Sequence, residues 1–170
     1  MANSAFFGGE NIKSEILCIL KSKNISFEHV VHKEIAHQNV AKEIGVNISE
    51  GIKCLIVRGK KSHLNYLICV LGHQKIDMRA LSSLVSENCE FEKIETIKKK
   101  FGLDVGGIPP FKFLLGIDAY FDQSIQACKD VIFSCGPLNE SIRMKFEDLL
   151  PLLNPQFASL VKTEEIIHKQ

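Results

Sequence analysis

The sequence predicts an α+β fold built around a mixed or largely antiparallel sheet. Two strand-like runs, residues 53–58 and 64–71, flank a short polar turn and indicate an antiparallel hairpin. Segments with apolar residues at helical spacing lie between the strands, but without the regular strand–helix alternation of a doubly wound parallel sheet. A chain of 170 residues, 45% of them hydrophobic, buries about 70% of its unfolded surface and needs no disulfide or structural metal. We therefore expect one domain over residues 1–170.

The N-terminal part of the chain is predicted to run helix, strand, helix. Apolar residues recur at helical spacing within residues 10–23 and form one stripe, which is typical of a first helix packed on a core. Residues 26–31 favour a strand. Beyond His32, we expect a short helix through Ile44 that ends at Gly45, because glycine readily adopts the left-handed conformation of a C-cap.

The remaining elements follow from capping and turn signals. A turn is expected at residues 49–51, before the hairpin, and Asp77 is placed to cap a helix that follows. Residues 94–101 predict another helix, with Ile94, Ile97 and Phe101 on one face. Closing helices are expected over residues 148–153 and from Asn154-Pro155, since proline suits a first helical position. We predict three further short strands, over residues 112–117, 131–135 and 141–144.

The charge balance and the cysteine pattern exclude several classes of protein. With 21 basic and 20 acidic residues, the chain has no overall attraction to DNA or to an anionic membrane, so RNA contact requires a local basic patch. No secretory signal and no bilayer-length apolar run is evident, which indicates a cytoplasmic protein. Six cysteines lie among apolar neighbours without a Cys-x-x-Cys pair, so we expect buried thiols and no metal or cofactor.

Residues 102–111 form the most unusual segment, with paired glycines followed by paired prolines. Such a loop is rigid and lets backbone N–H groups face a carbonyl oxygen or a phosphate without obstruction by side chains. A structural turn between a helix and a strand is the alternative. The segment lacks the Gly-Lys-Ser/Thr sequence of a phosphate-binding loop, which disfavours nucleotide hydrolysis.

Several charged and titratable side chains are candidates for binding or catalysis. Lys53 begins an apolar strand, where it either faces solvent or meets an anion. Lys98, Lys99 and Lys100 precede the glycine loop and form either a phosphate-binding patch or a solvated helix face. His32 is either an acid–base group or a structural histidine with a hydrogen-bonded ring.

Five segments of the chain form a recognisable series. They are the strand ending in His32, residues 50–55, the loop 106–111, residues 120–122 and residues 136–144. Taken in order, they resemble the YbaK and prolyl-tRNA editing-domain family of aminoacyl-tRNA deacylases. The resemblance covers nearly the whole chain, and the match is specific because the segments occur in order at the right separations.

The resemblance implies a curved sheet with flanking helices and a pocket for the aminoacylated 3′ end of tRNA. Lys53 would hold a terminal phosphate or help to position the attacking water. The N–H groups of the loop that starts at Gly106 would grip the aminoacyl carbonyl and stabilise charge on its oxygen. The resemblance thus assigns catalysis to Lys53 and Gly106. It assigns substrate binding to His32, Gly107, Ile108, Pro109, Pro110 and Asn139.

The expected function is therefore that of a freestanding hydrolase that deacylates mischarged tRNA, with Ala or Cys on tRNA-Pro as the expected substrate and a synthetase as a second candidate partner. Direct attack by water is expected, and the resemblance leaves open whether the tRNA's own ribose hydroxyl assists it. Cys54 is disfavoured as a nucleophile because neighbours in a strand face opposite sides, which turns it away from Lys53. Cys54 and Lys112 depart from the residues usual in the family and bear on amino-acid specificity. The alternatives are a non-catalytic module that binds tRNA ends or a synthetase, and a hydrolase of another small acyl ester.

Overall fold

The computed structural model describes residues 6–34 and 48–163, and the helix predicted to end at Gly45 lies outside them. The helices are α1 (Gly9–Ser22), α2 (Met78–Val85), α3 (Ile94–Phe101), α4 (Lys112–Leu115) and α5 (Phe146–Leu153). The strands are β1 (Glu28–Val31), β2 (Gly51–Gly59), β3 (Asn65–Leu71), β4 (Cys89–Phe91), β5 (Asp118–Asp122), β6 (Asp130–Ser134), β7 (Glu140–Lys145) and β8 (Gln156–Ala158). Short 3-10 helices cover Ile48–Glu50 and Gln123–Ala127.

The eight strands form one mixed sheet in the order β1-β7-β6-β2-β3-β5-β8, with β4 paired to β2. The pairs β1/β7, β6/β7, β2/β3 and β2/β4 are antiparallel, whereas β2/β6, β3/β5 and β5/β8 are parallel. The predicted α+β class, with a mixed and largely antiparallel sheet, is confirmed. The predicted hairpin is the β2–β3 pair.

Residues of β2 alternate between the two faces of the sheet, and each face has its own core. Ile52, Cys54 and Ile56 pack in the larger core, which also holds buried residues of α1, α3, α4 and α5. Val57 packs in a smaller core with Leu81 of α2. By this alternation Lys53 lies on the face of the smaller core.

Two sequence predictions about secondary structure are wrong. Residues 112–117 were expected to form a strand, but residues 112–115 form α4, ended by Gly116 in the left-handed region at φ 67°. Leu114 and Leu115 are both buried, which suits a short helix better than an alternating strand. The helix expected from Asn154-Pro155 does not form, because Asn154 ends α5 in the left-handed region at φ 44° and the chain continues as β8.

Other details follow the sequence prediction only in part. Asp77 caps α2 as predicted, since its Oδ1 accepts hydrogen bonds from the N–H groups of Arg79 (3.0 Å) and Ala80 (3.2 Å). Ile94 was expected on the buried face of α3, but it is 63% exposed because it sits in the first turn, where the helix begins away from the core. Cys18 is exposed rather than buried, as the side chains of the α1 stripe at residues 12, 16 and 20 face inward and that of Cys18 does not. No helix in the described ranges is long and apolar enough to cross a bilayer.

Candidate active site

Lys53 is the third residue of β2, and its ammonium group is held by a backbone carbonyl. The Lys53 Nζ donates a hydrogen bond to the Gln74 carbonyl oxygen at 2.7 Å. Burial, together with the nearby charge of Lys75, lowers the pKa of Lys53 below its ordinary value. None of the ion pairs formed within residues 6–34 and 48–163 involves this side chain. A partly desolvated cation without a carboxylate partner costs folding free energy, which is typical of a functional group.

The strand register places Lys53 in a row with two serines on the same face of the sheet. Ile52 pairs with Phe133 across the parallel β2/β6 ladder, so Ser134 lies beside Lys53 one residue further along. Ser134 pairs in turn with Ser141 across the antiparallel β6/β7 ladder. Paired residues point to the same face and neighbouring strands lie about 4.8 Å apart, so the row runs directly across three strands.

Each serine of the row holds a residue that the sequence assigned to the site. Ser134 Oγ donates a hydrogen bond to the Gly106 carbonyl oxygen at 2.6 Å. Ser141 Oγ lies 2.9 Å from His32 Nε2, and His32 Nδ1 lies 2.8 Å from the Lys33 carbonyl oxygen. Because a carbonyl can only accept, Nδ1 carries the ring proton, and in the neutral imidazole Nε2 accepts from the Ser141 hydroxyl.

The backbone N–H of His32 donates to the Asn139 carbonyl oxygen at 2.8 Å, which joins the end of β1 to the segment before β7. The structure therefore gathers Lys53, the loop at Gly106, His32 and Asn139 around one end of the β6–β7 pair. These are the residues that the sequence proposed for one pocket. The two serines were missed, because nothing in the local sequence distinguishes them from surface serines.

The glycine loop is fixed by contacts between backbones. Gly106 has a φ of +106°, and a Cβ on Gly107 would lie 2.0 Å from the Gly136 carbonyl oxygen. A Cβ on Gly136, whose φ is +119°, would lie 2.3 Å from the Gly9 carbonyl oxygen. The loop, the turn before β7 and the start of α1 thus stack on one another without intervening side chains, and only glycine fits at residues 107 and 136.

The same loop offers fewer hydrogen-bond donors than the sequence suggests. The Gly107 N–H donates to the Asp104 carbonyl oxygen at 2.9 Å, so it serves the turn itself. Pro109 and Pro110 have no N–H. Among the hydrogen bonds formed within the described residues, none uses the N–H groups of Gly106 and Ile108. The fold itself therefore does not use these two N–H groups, and their contact with a ligand stays a prediction.

A series of hydrogen bonds through the side chains of Gln74, Ser124 and Asp122 supports the turn that carries Gln74. Gln74 Oε1 accepts from the Leu71 N–H at 2.9 Å, and Gln74 Nε2 donates to Ser124 Oγ at 2.9 Å. The Ser124 hydroxyl donates to Asp122 Oδ2. Asp122, only 1% exposed, also accepts from the Leu160 N–H at 2.9 Å. Because this series of hydrogen bonds ends on the buried Asp122 carboxylate, it fixes the Gln74 carbonyl oxygen that accepts from Lys53. Sequence reasoning missed Gln74 and Ser124, which are 50 residues apart.

The lysine run before the loop is partly engaged with the protein itself. Lys98 Nζ lies 3.3 Å from Asp104 Oδ1, and Lys100 Nζ donates to Asn65 Oδ1 at 2.8 Å. Lys99 is exposed. RNA contact by this run remains a prediction.

Cys54 faces away from Lys53, as expected from strand alternation. Its Sγ lies 3.7 Å from Cys69 Sγ inside the larger core. Burial, with a smaller contribution from Cys54, raises the pKa of the Cys69 thiol well above its usual value. A buried thiol pair of this kind is a packing feature rather than a nucleophile.

The model of one protein family, the aminoacyl-tRNA editing domain, matches residues 33–152, well over half of the chain. The chain belongs to this family. The match confirms the resemblance drawn from the sequence, and with it the prediction of a hydrolase that acts on aminoacyl-tRNA.

Individual relatives agree with the family assignment of this editing domain. The multifunctional Ser/Thr-tRNA deacylase ProXp-y of Escherichia coli strain K12 is 22% identical over 160 residues, which cover 91% of this chain and 96% of that protein. The uncharacterized protein YwhH of Bacillus subtilis strain 168 is 26% identical over 112 residues, 66% of this chain and 71% of that one. The crystal structure of a candidate trans-editing enzyme for prolyl-tRNA synthetase has a TM-score of 0.75 at 20% identity, covering 96% and 99% of the two chains. At this identity, the structural likeness shows the fold.

Proposed function

We propose that this editing domain hydrolyses the ester bond between a mischarged small amino acid and the 3′-terminal ribose of tRNA in the cytoplasm. The observation that carries the proposal is the row across β2, β6 and β7, which sets a desolvated lysine beside a glycine loop with two available N–H donors. We propose that the chain acts as one domain over its full length. Aminoacyl-tRNA is the substrate, and an aminoacyl-tRNA synthetase is a second partner.

The geometry suits attack by water on the aminoacyl carbonyl carbon. Water adds to that carbon, and the negative charge that develops on the carbonyl oxygen is stabilised by the N–H groups of Gly106 and Ile108. The tetrahedral intermediate then expels the ribose oxygen, which takes up the proton that the attacking water gives up, and the free amino acid and tRNA leave. Lys53 keeps a cationic N–H for the terminal phosphate, since only one of its three donors is used by Gln74.

The substrate class is a small amino acid. Ala or Cys on tRNA-Pro is the expectation from the family, and the name of the E. coli relative adds Ser and Thr. A deacylation panel of Ala, Cys, Ser and Thr, each on tRNA-Pro and on its own tRNA, tests this proposal with the free amino acid as readout. Release of at least one amino acid above the rate without protein supports an enzyme. Tight binding of every aminoacyl-tRNA with no release would instead establish the non-catalytic module.

The hydrogen-bond chain behind Gln74 gives a prediction about activity. Replacing Ser124 with alanine leaves Gln74 Nε2 without its acceptor and frees the turn that holds Lys53, so we expect kcat/KM to fall about three- to tenfold. Ser124→Thr keeps the hydroxyl and should keep the activity. In a Lys53→Ala background, Ser124→Ala should cause no further loss, because the chain acts through Lys53. An equal loss in both backgrounds would contradict this role.

A further inference from the structure

A pocket of about 500 Å³ opens beside Lys53, between the turn after β3 and the segment that follows β8. It is lined by His73, Gln74, Lys75, Val161, Lys162 and Thr163. The two walls are joined by backbone hydrogen bonds: the Lys162 N–H donates to the Lys75 carbonyl oxygen at 2.9 Å, and the Asp77 N–H donates to the Leu160 carbonyl oxygen at 2.7 Å. These hydrogen bonds hold the two walls together.

Among residues 6–34 and 48–163, those that line the pocket carry positive charge and include no carboxylate. The lining contains two lysines, an imidazole and a hydroxyl, and neither Lys75 nor Lys162 takes part in an ion pair formed within residues 6–34 and 48–163. The whole chain is nearly neutral, at 21 basic against 20 acidic residues, so this excess is local. By contrast, the run at residues 98–100 is already partly engaged with Asp104 and Asn65.

The pocket adjoins Lys53 through the turn that carries Gln74. Gln74 lines the pocket, and its carbonyl oxygen accepts the hydrogen bond from Lys53 at 2.7 Å. The charge of Lys75 is close enough to Lys53 to disfavour its protonated form. Lys53, Lys75 and Lys162 thus lie around one turn, and an anion bound there would offset the repulsion between Lys53 and Lys75.

We propose that this pocket binds a phosphodiester of the single-stranded 3′ end of the tRNA, next to the phosphate held by Lys53. The inference rests on the proposed function. It identifies the surface that binds the RNA backbone next to the reacting ester. Lys75 and Lys162 neutralise the phosphodiester, and Thr163 supplies a hydroxyl to its oxygens. Such contacts position the strand and carry no base specificity.

The test uses an RNA minihelix that ends in single-stranded CCA and carries no amino acid. Its binding is measured by fluorescence anisotropy at several salt concentrations. For the double variant Lys75→Gln, Lys162→Gln we expect Kd to rise about five- to twentyfold and the slope of log Kd against log salt to fall by about 1.4, or about 0.7 per lost contact. The matched control is Lys21→Gln, Lys23→Gln, which removes two exposed lysines at the end of α1. In deacylation, the pocket variant should raise KM more than it lowers kcat.

A Kd and a salt slope equal to those of the control would overturn the proposal, as would a loss of binding seen only for the variant Lys98→Gln, Lys99→Gln, Lys100→Gln. Inorganic phosphate is the second probe. If it perturbs the NMR signals of the turn at residues 73–75 while RNA binding is insensitive to the double variant, the pocket takes free phosphate and the RNA assignment is wrong. Since RNA binding does not depend on turnover, a wild-type protein that binds through this pocket but releases no amino acid would refute the proposed hydrolysis alone.

Discussion

Replacing Lys53 with alanine lowers kcat/KM for deacylation about ten- to hundredfold, which is the loss expected for one charge-assisted contact of about 1.5–3 kcal/mol. The side chain contributes a cation rather than core packing, because it lies on the opposite face from Cys54 and its described hydrogen bond goes to a backbone carbonyl. Steady-state kinetics on the best substrate of the deacylation panel, with circular dichroism as a check on folding, measures the effect. Lys60→Ala is the matched control, because Lys60 is an exposed lysine in the turn directly after β2.

The charge of Lys53 also sets the sign of two pH effects. Its pKa is lowered in the folded protein, so the ammonium form and the activity that needs it are lost at a lower pH than for an ordinary lysine. The unfolded chain binds the proton more tightly. The folded state therefore gains stability as the pH rises from the lowered pKa of Lys53 in the folded protein to its ordinary pKa in the unfolded chain. Lys53→Met should therefore leave the melting temperature at neutral pH unchanged or higher. A folded Lys53→Ala variant with full activity would refute the role of Lys53.

Replacing Gly107 with alanine should abolish measurable deacylation and destabilise the protein by at least about 3 kcal/mol, or roughly 6–12 °C in Tm. The added Cβ would lie 2.0 Å from the Gly136 carbonyl oxygen, a backbone atom that no rotamer change can move. Either the loop shifts away from Ser134 or the turn at Gly136 opens, and both move the N–H donors. Thermal unfolding and the deacylation assay measure the two effects.

Val105→Ala is the control for Gly107→Ala, since this neighbouring side chain is 38% exposed and its truncation adds no backbone contact. It should retain the wild-type melting temperature within about 2 °C. A Gly107→Ala variant as stable and as active as Val105→Ala would show that the loop tolerates displacement and does not supply the donors.

Local signals account for the parts of the fold that the sequence predicts well. The apolar stripe of α1, the aspartate cap at Asp77 and the β2–β3 hairpin depend on residues within a few positions of one another. The errors arise where tertiary context decides. Residues 112–115 have strand-like composition but form α4 over the core, and β8 forms at residues 156–158 because β5 offers a free edge beside it.

In the candidate site too, some features are predicted from the sequence and others depend on tertiary contacts. Lys53, Gly106 and His32 are predicted from sequence because the resemblance marks them, but their convergence depends on the register of β2, β6 and β7. Ser134, Ser141, Gln74 and Ser124 act through contacts between residues that are far apart in the chain. Serine and glutamine in polar turns are too common for their spacing to indicate such contacts.

Gly107 stacks on Gly136, and Gly136 stacks on Gly9. Because of this stacking, the position of the loop and the shape of the space in front of it depend on different parts of the molecule. The position of the loop is set by these main-chain contacts and by one hydrogen bond from Ser134, whereas side chains set the size and polarity of the space in front of the loop. If the proposed mechanism holds, substitutions in those side chains change which amino acid is accepted without moving the N–H groups proposed to act on the carbonyl.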